Sequence, residues 1–165
     1  MGMKNEAEEW TRQLAAQLSQ NGRRICTAES CTGGLIAKTL TDLAGSSNWF
    51  ERGFVTYSNQ AKMDMLGVRE STLKGHGAVS EAVVREMAVG AVLYSEADVA
   101  IAVTGIAGPG GGSEIKPVGT VWFGFALGDE VKTKAQVFDG QREQVRSQSL
   151  LFALRFTVEL LANSN

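Results

Sequence analysis

Apolar residues recur at helical spacing near both ends of the chain. In residues 5–20, Trp10, Leu14 and Leu18 lie four positions apart, and this period predicts an amphipathic helix. The segment 141–162 has a comparable pattern. Its apolar side consists of Val145, Leu151, Leu154, Val158 and Leu161. Both ends of the chain are therefore predicted to be helical.

Between the two ends, short apolar runs predict strands. They are RICTA (24–28), GFVTYS (53–58) and VAIAVTG (99–105). The last is apolar throughout, which is typical of a strand covered on both faces. The segments GTVWFGFAL and EVKTKAQVF, separated by Gly128 and Asp129, predict a β-hairpin.

Helical patterns occupy the intervals between these strands. One follows the TGG of residues 32–34, and another covers NQAKMDMLGV (59–68). A third covers residues 81–95 after a GHGAVS loop (75–80), with Ser80 as its N-cap. The order of elements predicts an α/β protein, a three-layer α/β/α sandwich with a mixed β-sheet. A single domain spanning residues 1–165 is expected.

The composition of the chain limits the kinds of partner and the cellular location that we expect for the protein. The chain has 165 residues, of which 44% are hydrophobic and 21% charged, a globular balance. A net charge of -2 favours neither nucleic acid nor an anionic membrane as partner. The acidic N-terminus, MGMKNEAEEW, does not resemble a signal peptide, so a soluble cytoplasmic protein is expected. Cys26 and Cys31 are not spaced as a CxxC zinc motif.

One short stretch, TAESCTGG (27–34), gathers a carboxylate, hydroxyls and a thiol ahead of an apolar helical run. Backbone N–H groups at a helix start lack intrahelical partners and can hold an oxyanion, so Ser30 can attack a carbonyl there. Cys31 is a rival nucleophile, since a helix start lowers the pKa of a thiol. The plainer alternatives are that Ser30 or Thr32 caps the helix and that Cys31 is a small buried residue.

A serine nucleophile needs a base, and the sequence offers two. His76, the single histidine, lies between two glycines in a polar loop. Lys62 stands one turn into the helix predicted after the second strand. For Lys62 to accept a proton near neutral pH, burial has to lower its pKa by about three units from about 10.4. A solvated surface lysine is the alternative.

Two further segments are candidates for ligand binding. The loop TGIAGPGGG (104–112) has five glycines in the eight positions after Thr104, and such backbone can approach a phosphate or a flat ring closely. Flexibility alone is the competing explanation. Arg142 and Arg146 lie one turn apart near a helix start, where cations oppose the helix dipole. A bound anion would explain that placement, and an exposed pair is the alternative.

Taken together, these motifs resemble the CinA C-terminal domain family. They are TAESCTGG, GFVTYSNQAKMDMLGV, GAVSEAVVREMAVGA, ADVAIAVTGIAGPGGG, KPVGTVWFGFA and FDGQREQVR. The resemblance extends from about residue 7 to 162. Characterised stand-alone members of the family are nicotinamide-nucleotide amidases. The resemblance therefore implies hydrolysis of the carboxamide of nicotinamide mononucleotide to nicotinate mononucleotide and ammonia, without a metal or cofactor, in pyridine nucleotide recycling.

The family pattern also implies a Ser–Lys mechanism and assigns roles by position. Ser30 matches the nucleophile and Lys62 the base, while Tyr57 and Thr104 are expected to orient Lys62 or relay its proton. Glu29 is expected either to form a hydrogen bond near the site or to pair with a cation. The residues assigned to substrate binding and the oxyanion are Arg142, Cys31, Thr32, Gly33, Gly34, Gly105 and Gly108.

Two other functions stay open at this point. One is a non-catalytic nucleotide-binding protein connected with competence or DNA damage, and the other is an amidase that uses Cys31. The resemblance also leads us to expect a homo-oligomer. Four large aromatic residues suit either an interface or the core: Trp49, Phe50, Trp122 and Phe123.

Overall fold

The protein is built around a mixed, open β-sheet, which we describe from a computed structural model covering residues 2–164. Within that range five strands form the sheet: β1 (Ile25–Glu29), β2 (Phe50–Val55), β3 (Val99–Gly105), β4 (Thr120–Leu127) and β5 (Glu130–Val137). Their spatial order is β2-β1-β3-β4-β5. β1 is parallel to both β2 and β3, whereas β4 is antiparallel to its two neighbours, β3 and β5.

The same range contains six α-helices: α1 (Met3–Gln20), α2 (Leu35–Thr41), α3 (Asn59–Leu66), α4 (Glu70–His76), α5 (Glu81–Leu93) and α6 (Arg142–Ala162). A 3-10 turn at Ser46–Asn48 precedes β2. Among these described helices, none combines the length and apolarity needed to cross a bilayer.

Alternation along β3 sets the two layers of helices. Val99, Ile101 and Val103 point into a core shared with α1, α2 and α6. The intervening Ala100 and Ala102 face the other layer, which includes α5. Because small side chains cover that face, α5 can approach the sheet closely. This arrangement confirms the predicted α/β fold with a mixed sheet.

Aromatic residues from the sheet and α6 fill the first of these cores. Phe123 and Phe125 contact Phe152 and Phe156 with ring centroids 4.6 and 4.5 Å apart. Trp49 is also buried, and Phe50 and Trp122 are partly buried against the two cores. Of the four aromatic residues named as candidates for an interface, Trp49 and Phe123 therefore belong to the core, and Phe50 and Trp122 lie at its margin.

Three local predictions differ from the structure. Residues 75–80 are not all loop, because Gly75 and His76 complete α4, whose only buried residues are Thr72 and Leu73. So small an apolar face gives no periodic signal. β2 runs from Phe50 to Val55 rather than 53–58, because its first residues are polar or partly exposed at the sheet edge. α5 ends at Leu93, two residues early. That residues 1–165 form a single domain stays a prediction.

Candidate active site

The three parallel strands end at one edge of the sheet, and the candidate site lies there. Ser30 follows β1 directly, Tyr57 lies two residues after β2, and Thr104 is the next-to-last residue of β3. The carboxyl ends of parallel strands are where open α/β sheets bind ligands. Topology alone therefore brings together three segments that are far apart in the chain.

Ser30 is held at the start of a tight turn. Its backbone N–H donates to the Val103 carbonyl at 3.0 Å, which fixes the residue against β3. Gly33 and Gly34 then take left-handed backbone conformations, with φ of 58° and 101°, which other residues adopt only with strain. The two glycines of TAESCTGG thus turn the chain from β1 into α2.

The Glu29 carboxylate stabilises the same turn by binding backbone N–H groups at the start of α2. Its Oε1 accepts from the Ile36 N–H at 2.9 Å, and its Oε2 accepts from the Ala37 N–H at 3.0 Å. The carboxylate is fully buried and caps α2, where negative charge is favoured by the helix dipole. Of the two expected roles, a hydrogen bond near the site is found, to the backbone that follows the nucleophile turn, whereas Glu29 has no cation partner among the described ion pairs.

Lys62 points into the protein toward Ser30. The Ser58 hydroxyl caps α3 by accepting from the Ala61 N–H at 3.0 Å, and this places Lys62 in the first turn with only 2% of its surface exposed. Its Nζ donates to Ser30 Oγ at 3.1 Å. Burial lowers the pKa of the Lys62 ammonium, against a small opposing effect of the neighbouring Cys31 thiol. When the amine is neutral, the same separation allows the Ser30 hydroxyl to donate to it.

A cavity of about 240 Å³ opens onto this pair. Its lining contains the four residues predicted to be catalytic, together with Arg142 and Gly105. The full lining is Ser30, Cys31, Tyr57, Asn59, Lys62, Ala78, Val79, Thr104, Gly105, Ala107 and Arg142. The structure therefore gathers at one place residues that the sequence analysis selected from four separate segments.

Tyr57 and Thr104 lie in the cavity wall, but each has a partner other than Lys62. The Tyr57 hydroxyl accepts from Arg142 Nη2 at 2.8 Å, and Thr104 Oγ1 donates to the Ala78 carbonyl at 3.0 Å. Among the hydrogen bonds of the described residues, neither group contacts the lysine. That they orient it or relay its proton stays a prediction.

The backbone N–H groups of the turn differ in their availability. The Gly33 N–H is already occupied, since it donates to the Ser30 carbonyl at 3.0 Å. In the described part of the chain, the N–H groups of Cys31, Thr32 and Gly34 donate to no other residue. An oxyanion beside Ser30 is therefore expected to use the Cys31 and Thr32 amides, and Gly33 drops out of the predicted set.

Cys31 does not have the properties of a nucleophile. Its side chain is 6% exposed and belongs to the core, and burial raises the pKa of the Cys31 thiol to about 11. The expectation that the helix start lowers this pKa is wrong, because desolvation outweighs the backbone hydrogen bond and the nearby positive charges, which lower it. Gly105 faces the same sulfur: a Cβ on Gly105 would lie 3.1 Å from Cys31 Sγ and 2.8 Å from Val121 Cγ2. Packing thus requires glycine there.

Arg142 and Arg146, which a bound anion was expected to join, have different surroundings. Arg142 spans the mouth of the cavity, where its Nη1 donates to the Gly108 carbonyl at 2.9 Å and its Nη2 to Tyr57. Arg146 instead lies against the nucleophile turn and donates from Nη2 to the Thr32 carbonyl at 3.0 Å. Only Arg142 is placed to meet a ligand. His76 is exposed at the end of α4 and is not part of the cavity lining.

Some lining residues carried no signal in the sequence. Asn59 was hidden in the predicted helix, and Ala78, Val79 and Ala107 are small apolar residues in loops. A larger groove of about 750 Å³ lies between α1, α2 and α6. It has neither a nucleophile paired with a base nor any residue of the cavity, so the smaller cavity is the candidate active site.

A buried hydroxyl in contact with a buried amine, at the carboxyl edge of an α/β sheet, is the arrangement that a serine hydrolase with lysine in the place of histidine requires. The comparison with protein families identifies the class of protein. Residues 7–161 match the CinA C-terminal domain, and the chain belongs to that family.

The individual relatives are consistent with this assignment. The chain is 56% identical to the nicotinamide-nucleotide amidohydrolase PncC of Escherichia coli (strain K12), over 92% of each chain. It is 60% identical to the PncC protein of Enterobacter agglomerans, over 87% of this chain and 88% of that one. Among solved structures, a competence/damage-inducible protein from Agrobacterium tumefaciens has a TM-score of 0.90 at 46% identity, covering 94% and 95% of the two chains.

Proposed function

We propose that this protein hydrolyses the carboxamide of nicotinamide mononucleotide, releasing nicotinate mononucleotide and ammonia. The names of the relatives at 56–60% identity support this substrate. The observation that carries the proposed chemistry is the 3.1 Å contact between Ser30 Oγ and the buried Lys62 Nζ. In this role the enzyme recycles pyridine nucleotides.

The first half of the reaction forms an acyl-enzyme. Ser30 Oγ attacks the amide carbon while neutral Lys62 takes the hydroxyl proton. The carbonyl oxygen becomes an oxyanion, which the Cys31 and Thr32 amides stabilise. As the C–N bond breaks, the Lys62 ammonium gives its proton to the departing nitrogen. Ammonia leaves, a nicotinoyl ester remains on Ser30, and Lys62 is neutral again.

The second half repeats these steps with water. Lys62 takes a proton from a water molecule as that water attacks the ester carbon, and the same amides hold the second oxyanion. The C–O bond to Ser30 then breaks, and Oγ recovers the proton from Lys62. One base thus serves both halves because it returns to its neutral form after each.

Arg142 is proposed to bind the phosphate of the substrate. Its guanidinium borders the cavity beside the Tyr57 hydroxyl, which is largely exposed, and a planar fork suits phosphate oxygens. Thr104, Gly105 and Gly108 supply the neighbouring wall for the ribose and ring. The proposal also includes a cytoplasmic location, expected from the sequence, and a homo-oligomeric state, expected from the resemblance to the family.

The test is a direct assay on the purified protein. Wild type is incubated with nicotinamide mononucleotide, and ammonia and nicotinate mononucleotide are both quantified. We expect equal amounts of the two products, and no activity above background for Ser30→Ala with an unchanged circular dichroism spectrum. Wild type that binds the mononucleotide but releases no ammonia would indicate a binding protein instead.

A further inference from the structure

Arg146 is a charged side chain beside the site that the mechanism above does not use. Its Nη2 donates to the Thr32 carbonyl at 3.0 Å, and its Nε is buried without a hydrogen-bond partner. Within residues 2–164 no carboxylate lies within 4 Å of its guanidinium. The positive charge is therefore not neutralised locally, and its one direct contact is the backbone of the nucleophile turn.

That contact begins a chain of hydrogen-bonded peptide groups. The Thr32 carbonyl belongs to the same peptide group as the Gly33 N–H, which donates to the Ser30 carbonyl at 3.0 Å. The Ser30 carbonyl in turn belongs to the same peptide group as the Cys31 N–H. This last N–H donates to no other described residue and is the amide beside the nucleophile.

Peptide groups linked in this way polarise one another. A cation on the first carbonyl draws electron density toward itself and makes the N–H at the other end of each peptide group a stronger donor. The strengthening is about 10–30% for each hydrogen bond in a condensed phase. The turn is also shielded, since Cys31 and Thr32 are both buried, and a low local dielectric enlarges the effect.

We propose that Arg146 is a positioning residue that strengthens the oxyanion site without touching substrate, through the two peptide groups between Thr32 and Cys31. This rests on the proposed amidohydrolase function and adds a residue to it. Arg142 and Arg146, one helical turn apart, thus have different tasks: Arg142 meets the ligand, and Arg146 acts on the backbone that holds the developing negative charge. The positive charge of Arg146 also affects the Cys31 thiol. Burial raises the pKa of Cys31, and the charge of Arg146 lowers it.

The prediction concerns charge that develops only in the transition state. Removing the cation in Arg146→Met is expected to lower kcat by about ten- to a hundredfold, below the cost of deleting a whole oxyanion donor. KM for nicotinamide mononucleotide is expected to change by less than about twofold, because uniform binding is not affected. Arg146→Lys, which keeps the charge on a similar length of chain, should recover most of kcat.

The experiment compares four proteins in the ammonia assay: wild type, Arg146→Met, Arg146→Lys and, as matched control, Arg155→Met. Arg155 lies on the same helix, is half exposed and pairs with Glu159, so its loss should leave kcat unchanged. Pyridine-3-carbaldehyde, which forms a hemiacetal with a reactive serine, serves as a probe of oxyanion affinity, and nicotinate mononucleotide as a probe of ground-state binding. Only the aldehyde should bind more weakly to Arg146→Met. Should that variant not fold, Arg146→Gln takes its place.

Four results would overturn the inference. If Arg146→Met folds and has the kcat of wild type, Arg146 has no role in stabilising the oxyanion. If KM rises while kcat stays constant, Arg146 binds the substrate instead. Equal loss in the Met and Lys variants at unchanged melting temperature makes the contact geometric rather than electrostatic. An inactive wild type overturns the proposed function as well, which distinguishes that failure from the other three.

Discussion

Two ionisable side chains in the layer formed by α3, α4 and α5, Glu86 and Lys62, differ in how many partners stabilise their charged forms. Glu86 is well provided with partners: Thr72 Oγ1 donates to it at 2.6 Å, the Arg69 backbone N–H at 2.9 Å and the Arg69 guanidinium at 3.2 Å. Lys62 is more deeply buried, yet its amine has a single hydrogen bond, to Ser30, and no carboxylate within 4 Å among the described residues.

The pKa values follow from that difference. Burial raises the pKa of Glu86, but the hydrogen bonds from Arg69 and Thr72 outweigh it, so the net shift is downward and the carboxylate stays charged. Burial lowers the pKa of Lys62, and only the neighbouring Cys31 opposes the shift. The carboxylate of Glu86 is thus kept charged by its partners, whereas the amine of Lys62, the proposed base, has no charged partner that would keep it protonated. The contrast predicts different results for activity and for stability.

The largest effect is expected from Lys62→Met. Without the base, the rate of ammonia release should fall by at least about a thousandfold. The free energy of unfolding at pH 7 should rise, by about 1.4 kcal/mol for each unit by which burial lowers the lysine pKa. Chemical denaturation of both proteins measures the second effect. Lys74→Met, which removes an exposed lysine, is the control, and a less stable Lys62→Met would contradict the interpretation.

The stability gain has a defined pH dependence. Because the folded pKa of Lys62 is lowered, the unfolded chain binds more protons between the folded pKa and the ordinary value near 10.4. The cost of burying the lysine is therefore complete below the folded pKa and disappears as pH rises to the ordinary value. The advantage of Lys62→Met over wild type should shrink over the same window.

The pH–rate profile gives the next effect in size. Only neutral Lys62 accepts the Ser30 proton, so kcat/KM should rise tenfold per pH unit up to an apparent pKa below about 10.4 and then level off. Measurements above pH 7 avoid the second ionisation of a phosphate monoester near pH 6. A rate that is flat from pH 7 to 10 is compatible only with a base that is already neutral at pH 7. A rate that falls with rising pH would exclude lysine as the base.

A smaller effect, confined to stability, is expected from Glu86→Gln. Loss of the charge-assisted contacts with Thr72 and the Arg69 backbone should lower the free energy of unfolding by about 1–3 kcal/mol, with kcat unchanged. The wild-type contribution is present above the ordinary glutamate pKa and is lost as pH falls through the lowered folded pKa. Glu70→Gln breaks an exposed pair with Lys74 and should cost less than about 1 kcal/mol. Equal losses in the two variants would contradict the comparison.

The sequence predicted the fold for physical reasons that are visible in the structure, because apolar periodicity located the strands. The pattern of residues left both His76 and Lys62 open as the base, and the resemblance to the family selected the pair of Ser30 and Lys62. What the sequence did not predict are contacts between polar atoms far apart in the chain. Arg146 and the Thr32 carbonyl are 114 positions apart, and no periodicity records which carbonyl an arginine will meet. The role of Glu29 as a helix cap depended on a turn geometry that only the fold determines.

The smallest effect is expected from replacing Cys31. It tests whether burial, which is proposed to activate Lys62, leaves the Cys31 thiol inactive. Burial favours the neutral form of any ionisable group: in Lys62 the neutral amine is the active base, whereas in Cys31 the neutral thiol is the inactive form. With the pKa of Cys31 raised to about 11, about one molecule in a thousand carries a thiolate at pH 8. Cys31→Ala should therefore retain kcat within about tenfold and lose only about 1 kcal/mol of stability to the small cavity. Cys26→Ala is the matched control, since burial also raises the pKa of Cys26 to about 11. If kcat fell a thousandfold in Cys31→Ala but not in Cys26→Ala, the nucleophile would be the Cys31 thiol rather than the Ser30 hydroxyl.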